Sequence, residues 1–390
     1  MASRWLHIGR FHGLSTVTYW AVSGPVSRRF HIGQFHDLPL DGYILGGFMA
    51  FLSLSTPLLR GCEGRFDSYA VGGPVVRRLA PSRWLMWYSA RPRTFPPHIV
   101  PIASGYIGLA ESSDGLEWRG VEGEEALGSV LGPSADPRAF DSTHVGVGDV
   151  VPPGEAQESF HMLYFAGDAQ EPSMGGRRLP SGSRMSIGMA TSPDGKPLLQ
   201  EDSTIALIRP VLNAGIRWER SAGLLPSGAL LEPSEGQIFI GWPQLLRRAA
   251  ISGAEFLLFY HALDGGKFRV HTASSADLQQ WTPHGCCLDV SEGENAFDAA
   301  GISARCVVDD PARPDGLLMF YEGQSKEGRH SIGLASGSPD GLHWTRLSNR
   351  PVFEPSEEEG SWDGAAVSRP WIVPLEDGSA RLYYLGKSKE

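Results

Sequence analysis

Acidic residues that directly follow an aromatic residue recur along the chain, and they are the first candidates for chemistry. Carboxylates act as general acids, general bases or nucleophiles when several of them converge on one site. The strongest catalytic candidates are Asp67, Asp141 and Glu219, from the first three copies. A position that is filled in every repeat is also typical of a structural turn or cap. The recurring pairs are Phe66-Asp67, Phe140-Asp141, Trp218-Glu219, Phe297-Asp298 and Trp362-Asp363.

A second set of residues breaks the repeat and could bind a ligand. His144 follows Asp141 on the same predicted strand, where an imidazole could bind a hydroxyl group, transfer a proton or pack inward. Arg305 and Arg369 interrupt apolar strands, and a buried guanidinium needs a carboxylate partner or an anionic ligand. The indole of Trp242 could stack on a sugar or pack in the core. The predicted ligand-binding residues are His144, Arg305, Arg369, Asp298, Asp363 and Trp242.

Two predicted strands follow each acid and must position these side chains. The first is an inner strand, which reaches a proline or its equivalent at Pro74, Gly148, Pro226, Arg305 or Pro370. The second is an apolar, aromatic strand at residues 84–88, 160–165, 256–260, 317–321 and 381–385. Near-continuous apolar runs of this kind are typical of strands that are covered on both faces.

A third strand and a turn complete the repeat. The strand carries Ile-Gly in most copies and covers residues 106–110, 186–190, 268–272 and 331–335. The turn has the pattern Ser-x-Asp-Gly-x-x-Trp at residues 112–118, 192–195, 275–281 and 338–344, although the second copy lacks the Trp and the third lacks the Gly. Asp and Gly favour a tight turn, and Trp begins the next strand. The repeat predicts an all-β chain, a five-bladed β-propeller of four-stranded antiparallel blades.

The third and fifth repeats depart from this scheme. An extra segment follows Pro226 and contains Glu232 and Glu235, either of which could be a general acid or a solvated loop residue. An alternative register would begin the third inner strand at Gly236. The fifth repeat stops after its second strand, so the fifth blade is either incomplete or closed by an N-terminal strand such as residues 16–26.

Composition limits the classes of partner. The 390-residue chain has a net charge of −10 and no run of Lys or Arg, which argues against a nucleic-acid partner. The uncharged stretch 43–59 is short and marginal for a membrane span, and we expect it to be a buried strand or a leader segment. We expect a monomer with no cofactor and no metal. The cysteines, which are expected to be free thiols in a reducing compartment, are Cys62, Cys286, Cys287 and Cys306.

The N-terminal region has the composition of an organelle transit peptide. Residues 1–36 contain no Asp or Glu but several Arg, Ser and Thr residues. We therefore expect residues 1–56 to be a leader, which could also contribute the closing strand, and residues 57–390 to form the propeller. The expected location is intracellular, in a chloroplast or another organelle.

The repeated pattern resembles a known superfamily. The sequence Phe/Trp-Asp-x6-Pro, a tyrosine at the end of the aromatic strand, and Ile-Gly-Leu-Ala-x-Ser-x-Asp-Gly-x-x-Trp are similar to those of the five-bladed propeller glycoside hydrolases, which include arabinanases, β-xylosidases, invertases and levansucrases. The resemblance covers residues 57–386. It implies an axial funnel that holds three carboxylates, which act as nucleophile or base, as general acid and as orienting neighbour.

The chain departs from this superfamily at the residues that carry its chemistry. Arabinanase-like members have an Asp directly before the proline of the first inner strand, where this chain has Gly73. The matching position of the second repeat is Val147, and the invertase-like Trp-x-Asn-Asp-Pro motif does not occur. The resemblance implies a glycoside hydrolase-like protein that acts on or binds a carbohydrate in an axial pocket. The alternative is a non-catalytic propeller that binds a glycan, a sugar phosphate or a protein.

Overall fold

In the described residues, strands make up nearly all of the regular structure, and the first strand pairs with the last. In the described residues, Ala126–Gly128 forms a single 3-10 turn. The first strand, β1 (Arg28–Arg29), runs antiparallel to the last, β21 (Ala380–Lys387). The computed structural model describes residues 28–29, 64–153, 159–192, 218–221, 223, 225–248, 251–293, 295–361 and 363–389.

The first unit is a four-stranded antiparallel sheet. Its strands are β2 (Ala70–Ala80), β3 (Arg83–Arg91), β4 (Tyr106–Ser112) and β5 (Arg119–Val121), paired in that order. Strand β3 is buried along almost its whole length because sheets cover both of its faces. The order of inner strand, aromatic strand, Ile-Gly strand and short outer strand is the one that the sequence predicts.

The second unit has the same order but a different outer strand from the one expected. Its strands are β6 (His144–Val151), β7 (Phe160–Gly167), β10 (Met185–Ser192) and β11 (Glu219–Ser221), with a small hairpin of β8 (Ser173–Met174) and β9 (Arg177–Arg178) between β7 and β10. Because β11 pairs with β10, Trp218 and Glu219 end the second unit. The prediction that they open the third unit is therefore wrong. Trp218 is instead the tryptophan that the second turn motif lacked.

The third unit begins later than the main prediction placed it. Its strands are β12 (Gln237–Arg247), β13 (Phe256–Asp264), β14 (Lys267–Ser275) and β15 (Thr282–Leu288). The alternative register from Gly236 is therefore confirmed. The segment after Pro226 is not an insertion of the third unit, since Leu231 bridges Ile187 as Leu131 bridges Ile107 in the first unit.

The fourth and fifth units complete the order. Their strands are β16 (Gly301–Asp309), β17 (Leu317–Gln324), β18 (His330–Gly337), β19 (Trp344–Arg346), then β20 (Ala366–Pro374) and β21. The fifth unit thus provides two long strands of its own, and β1 adds a short third one. Residues 16–26, the suggested closing strand, lie outside the described residues.

Side chains connect neighbouring inner strands. Arg77 of β2 donates hydrogen bonds to the carboxylate of Asp149 and the carbonyl of Val150 on β6. The second oxygen of Asp149 accepts the backbone N–H of Leu245 on β12 over 2.9 Å. The fully buried Asp149 is therefore the link between three inner strands.

The remaining contacts complete a cyclic order of inner strands. The side chain of Gln244 on β12 exchanges hydrogen bonds of 2.9 and 2.8 Å with the backbone of Val307 on β16. Ile372 N–H of β20 donates to Cys306 Sγ over 3.2 Å. Trp371 Nε1 donates to the Val76 carbonyl of β2 over 2.9 Å, which returns to the first unit. The architecture is all-β and propeller-like.

Candidate functional site

The recurring acids are buried against a tyrosine of their own unit. The Tyr88 hydroxyl donates a hydrogen bond to Asp67 over 3.0 Å. The rings of Phe66 and Tyr88 lie 5.8 Å apart, and both cover Gly108, where a Cβ atom would come within 2.2 Å of the Phe66 ring. Burial raises the pKa of Asp67. The aromatic-acid pair, the strand tyrosine and the Ile-Gly pair thus form one packing module.

The module recurs in the second and fourth units, and the fifth unit keeps its tyrosine–acid hydrogen bond, so the module has a structural role. The third unit lacks it, since Tyr260 there faces His271, with ring centroids 5.8 Å apart. A catalytic role for Asp67 and Asp141 therefore stays a prediction, because packing alone accounts for both residues. The equivalent hydrogen bonds run from Tyr164 to Asp141 (3.0 Å), from Tyr321 to Asp298 (3.2 Å) and from Tyr384 to Asp363 (2.9 Å).

Glu219 lies on the outer strand β11, with an exposed side chain. The next residue, Arg220, donates from Nε to Asp141 over 2.6 Å. Arg346 occupies the corresponding place on β19 and donates to Asp298 over 2.8 Å. The structure therefore places Asp141 and Glu219 in the second unit and gives Glu219 no inner-strand position.

His144 holds two chain segments together at the start of β6. Its Nδ1 lies 3.0 Å from the Ser104 hydroxyl, and its Nε2 lies 3.0 Å from the Gly182 carbonyl. A carbonyl oxygen can only accept, so Nε2 carries the proton and Nδ1 accepts from Ser104. Burial lowers the pKa of His144 to about 4, and the ring is neutral at pH 7. Both nitrogens are occupied by protein groups, which fits inward packing.

Every inner strand contains a register shift, and in three strands the residue there has a left-handed backbone. These residues directly precede a proline: Gly73 (φ 63°), Trp242 (φ 47°) and Arg369 (φ 53°). Glycine adopts this conformation freely, whereas Trp and Arg do so at a cost of about 1 kcal/mol or more. Such strain concentrates at functional sites. The bulges direct the Trp242 and Arg369 side chains toward each other.

Trp242 and Arg369 form the centre of the candidate site. The Arg369 guanidinium lies 4.6 Å from the Trp242 ring centroid, close enough for a cation–π interaction. The indole also stacks on the rings of Phe165 and His261, with ring centroids 4.0 and 4.8 Å apart. Phe239 lies 5.9 Å from the indole and completes an aromatic wall. Trp242 and Arg369 are both half-buried.

A second arginine, Arg305, contacts the backbone of this centre. Arg305 donates hydrogen bonds to the carbonyls of Trp242 and Phe259. Burial lowers its pKa to about 9, so it remains charged at pH 7. Burial also holds the pKa of His261 well below its ordinary value, with the nearby charges of Arg305 and Arg369 acting in the same direction. His261 is therefore neutral.

One carboxylate lies beside the centre. Glu322 accepts a hydrogen bond from His330 Nδ1 over 2.7 Å and from the Arg369 backbone N–H over 3.2 Å. Burial disfavours its ionised form, but the hydrogen bond and charge of His330 outweigh burial and lower the pKa of Glu322. For the same reason the pKa of His330 is raised despite burial. The two residues form an ion pair.

Within the described residues, no group of three or more His, Cys, Asp or Glu side chains is arranged to hold a metal ion. Nor does any helix there have the length and apolar character needed to cross a bilayer.

Comparison with known proteins gives a result at the level of structure alone. No protein-family model matches the chain, and no sequence among the curated proteins matches it. A solved structure from the GH130 family of mannoside phosphorylases, which contains glycoside hydrolases that target β-1,2 mannosidic linkages in Candida mannan, has a TM-score of 0.54 at 14% identity. The similarity covers 91% of this chain and 94% of that one.

Two further solved structures agree. A thermostable family-43 glycoside hydrolase has a TM-score of 0.52 at 15% identity, over 81% of this chain and 82% of that one. Sucrose-6-phosphate hydrolase from Lactobacillus gasseri has a TM-score of 0.51 at 13% identity, over 84% of this chain and 56% of that one. The chain has the fold of the propeller glycoside hydrolases. At these identities the likeness concerns the fold and leaves the chemistry to the site itself.

The propeller's site contains residues that the sequence analysis missed, namely Phe165, His261 and Glu322. Each directly follows the tyrosine of an aromatic strand, and in all three cases its side chain contacts Trp242 or Arg369. That position varies among the units while its surroundings repeat. A search for the variable residue within a constant repeat would have found them. The residues in this position are Ser89, Phe165, His261, Glu322 and Leu385.

Proposed function

We propose that the protein is a glycosidase-like protein that acts on a carbohydrate at the site around Trp242 and Arg369. The observation that supports the proposal is that both residues adopt strained left-handed conformations and stack on each other with half-exposed side chains. Structural neighbours that are glycoside hydrolases agree with a carbohydrate substrate. Sugars present C–H faces that pack on indole rings and hydroxyl groups that need polar partners.

The proposed site has two unlike walls that suit such a ligand. The half-exposed Trp242 supplies the aromatic wall, with the buried Phe165 and Phe239 packed against it. Arg369 and the Glu322–His330 pair supply the polar wall. In this proposal Glu322 is the carboxylate nearest to the sugar, and it is ionised at pH 7. Asp67, Asp141 and Glu219 remain the catalytic candidates of the sequence analysis.

We further propose that the strand units are the blades of a five-bladed propeller. The cyclic contacts from Arg77 through Asp149, Gln244 and Cys306 to Trp371 support this arrangement of inner strands. In this arrangement the site lies at the axis, at the end where the inner strands begin. Strand β1 would extend the fifth blade.

A panel of oligosaccharides and aryl glycosides tests the function with the variant Trp242→Ala. We expect the wild-type protein to bind at least one member of the panel and Trp242→Ala to bind it roughly tenfold more weakly or worse, because the stacking surface is lost. Trp281→Ala is the matched control, since Trp281 is a half-buried tryptophan of an outer turn. Equal binding by wild type and Trp242→Ala would contradict the proposed site.

Product analysis on the same panel separates a hydrolase from a binding protein. The second possibility, a propeller that binds a glycan without cleaving it, is favoured by one observation: tyrosines hold Asp67 and Asp141 in packing modules. Release of a reducing sugar by the wild type that is lost in Glu322→Gln would support the hydrolase. Binding without any product would support the second possibility.

A further inference from the structure

The loops that follow the aromatic strands differ greatly in length between the units. Residues 92–105 follow β3 in the first unit, and residues 168–184 follow β7 in the second. The third and fourth units have only residues 265–266 and 325–329 in the same place. Aromatic strands run antiparallel to inner strands, so all four loops lie at the end where the inner strands begin. Together, residues 92–105 and 168–184 form a raised rim on one side of that end.

Hydrogen bonds join the two loops of the raised rim. The Val100 N–H donates to the Ser181 carbonyl over 2.9 Å. The imidazole of His144 lies 3.0 Å from the Ser104 hydroxyl of the first loop and 3.0 Å from the Gly182 carbonyl of the second. Ser104 and Ser181 are both buried. Because the buried polar groups of each loop depend on the other, the two loops hold one another in place.

The raised rim borders the candidate site. Val100 packs against the same buried cluster as Trp242. Ala103 lies near the other half of the site: its Cβ atom and Arg369 Nη1 are 3.0 and 2.9 Å from the position that a Cβ atom on Gly72 would take. The first loop therefore neighbours both Trp242 and Arg369, and the second loop continues the surface outward.

The hairpin of β8 and β9 extends from the raised rim into solvent. Its turn is Gly175-Gly176, and a Cβ atom on either glycine would meet no atom within 4 Å. Met174 on β8 is 40% exposed, one of three large apolar side chains in the described residues with such exposure. A two-stranded hairpin without a sheet behind it adds little to the stability of a fold. An exposed element that a fixed loop holds beside a site is typical of ligand binding.

The second loop of the raised rim carries charges of both signs. Arg178 lies 3.5 Å from Glu171, and Arg184 lies 3.7 Å from Asp168. The first pair is largely exposed. Such a surface offers both hydrogen-bond donors and acceptors, as the hydroxyl groups of neutral sugars require, whereas a polyanion would favour a surface of one sign.

We infer that the raised rim is a second binding surface, which holds further sugar units of a neutral oligosaccharide whose first unit lies at Trp242 and Arg369. This inference rests on the proposed carbohydrate function and adds a chain of at least two units as the substrate class. The short turns 265–266 and 325–329 offer no comparable surface on the third and fourth units. The oligosaccharide therefore extends along the first two units, toward the β8–β9 hairpin.

Calorimetric titration of the full-length protein with three length series tests the inference. The series run from one to four units of arabinose, xylose and mannose. In at least one series we expect the trisaccharide to bind about tenfold more tightly than the monosaccharide, because its additional units contact the raised rim. The monosaccharide reports the site at Trp242 alone.

The main variant replaces residues 173–178 with Gly-Gly. The Leu179 N–H already donates to the Pro172 carbonyl over 2.8 Å, so two glycines can close the shortened hairpin without moving the rest of the loop. We expect the affinity for the trisaccharide to fall at least about fivefold and that for the monosaccharide to stay within about twofold of wild type. Thermal melting checks that the variant is folded.

The point variant Met174→Ser tests the hairpin without a change of length. We expect it to weaken trisaccharide binding by about two- to fivefold, because apolar contact with the sugar is lost. Leu127→Ser is the matched control. Leu127 is 42% exposed but lies on the 3-10 turn after β5, so this variant should bind the trisaccharide like wild type.

The outcomes separate this inference from the proposed function. If affinity does not depend on length, or if the shortened hairpin weakens all lengths equally or none, the second surface is refuted while the carbohydrate function stands. If the hairpin variants weaken only the longer sugars and Trp242→Ala binds like wild type, the second surface stands and the site at Trp242 is refuted. If no series binds, both are overturned, and the exposed hairpin is left as a surface for a partner that is not a carbohydrate.

Discussion

Among single residues, the Glu322–His330 pair is the most direct link between protonation and the candidate site. The Glu322 carboxylate accepts a hydrogen bond from the backbone N–H of Arg369 and also balances the positive charge of His330. The hydrogen bond from its backbone N–H to Glu322 helps to hold Arg369 in its left-handed conformation. Ionisation of the pair should therefore influence both stability and the position of the Arg369 side chain.

The pair predicts a specific pH dependence of stability. The pKa of His330 is raised, so its contribution is complete below its ordinary value of 6.5 and is lost as pH rises through the raised value. The pKa of Glu322 is lowered, so its contribution is complete above its ordinary value of 4.5 and is lost as pH falls through the lowered value. The stabilisation is thus greatest between these two ordinary values.

Melting temperatures of wild type and His330→Gln across pH 4 to 9 test this prediction. We expect the largest difference near pH 5 to 6 and a shrinking difference above pH 7, as His330 of the wild type loses its proton. His343→Gln is a suitable control, because that histidine lies on an outer turn. A difference between wild type and His330→Gln that stays constant with pH would show that the ion pair does not stabilise the protein.

At the scale of secondary-structure elements, the repeat is a packing device. The Ile-Gly glycines exist because two aromatic rings occupy the space where a side chain would be. In the fourth unit a Cβ atom at Gly333 would lie 2.4 Å from the Tyr321 ring and 2.6 Å from the Phe297 ring. The acid then accepts a hydrogen bond from the tyrosine hydroxyl, so that this buried hydroxyl has a partner. Sequence constancy at these positions reflects packing.

The substitution Gly333→Ala tests the packing module. We expect it to lower the free energy of unfolding by about 1 to 3 kcal/mol, because the added methyl group overlaps both rings. Gly301→Ala, in the same unit, is the control, since its added Cβ would meet nothing closer than 3.7 Å. Urea denaturation of both variants measures the effect. Equal stability of the two variants would disprove the packing explanation.

At the scale of the whole molecule, the inner strands depend on one another through buried polar side chains. From its place on β6, the Asp149 carboxylate contacts both β2 and β12. Its removal leaves Arg77 and the Leu245 N–H without their acceptor. Burial of such groups without a partner is costly.

We therefore expect Asp149→Ala to lower the free energy of unfolding by about 3 to 5 kcal/mol. Asp309→Ala is the matched control. Asp309 also pairs with an arginine, Arg248, but its side chain is 89% exposed, so its loss should cost less than about 1 kcal/mol. Chemical denaturation compares the two. Similar values for both variants would show that the cyclic contacts do not hold the inner strands together.

Local sequence patterns were enough to predict the strands and their order within a unit. Local patterns sufficed because the aromatic strands, the Ile-Gly strands and the Asp-Gly turns are each defined by neighbouring residues. Asp114, for example, accepts the N–H groups of Leu116 and Glu117 within its own turn, over 2.7 and 2.9 Å. The register failed at Trp218-Glu219, since an aromatic residue followed by an acid occurs both at the start of a unit and on an outer strand.

The position of the candidate site, in contrast, depends on contacts between units that are distant in the sequence. Trp242 and Arg369 meet across separate units because each inner strand bulges before a proline, and a bulge redirects a side chain in a way that no local pattern records. Of the predicted ligand-binding residues, the tertiary structure brings these two together with Arg305, and it places His144, Asp298 and Asp363 in packing roles. Convergence in space depends on how the strand units pack against one another, which spacing along the chain does not specify.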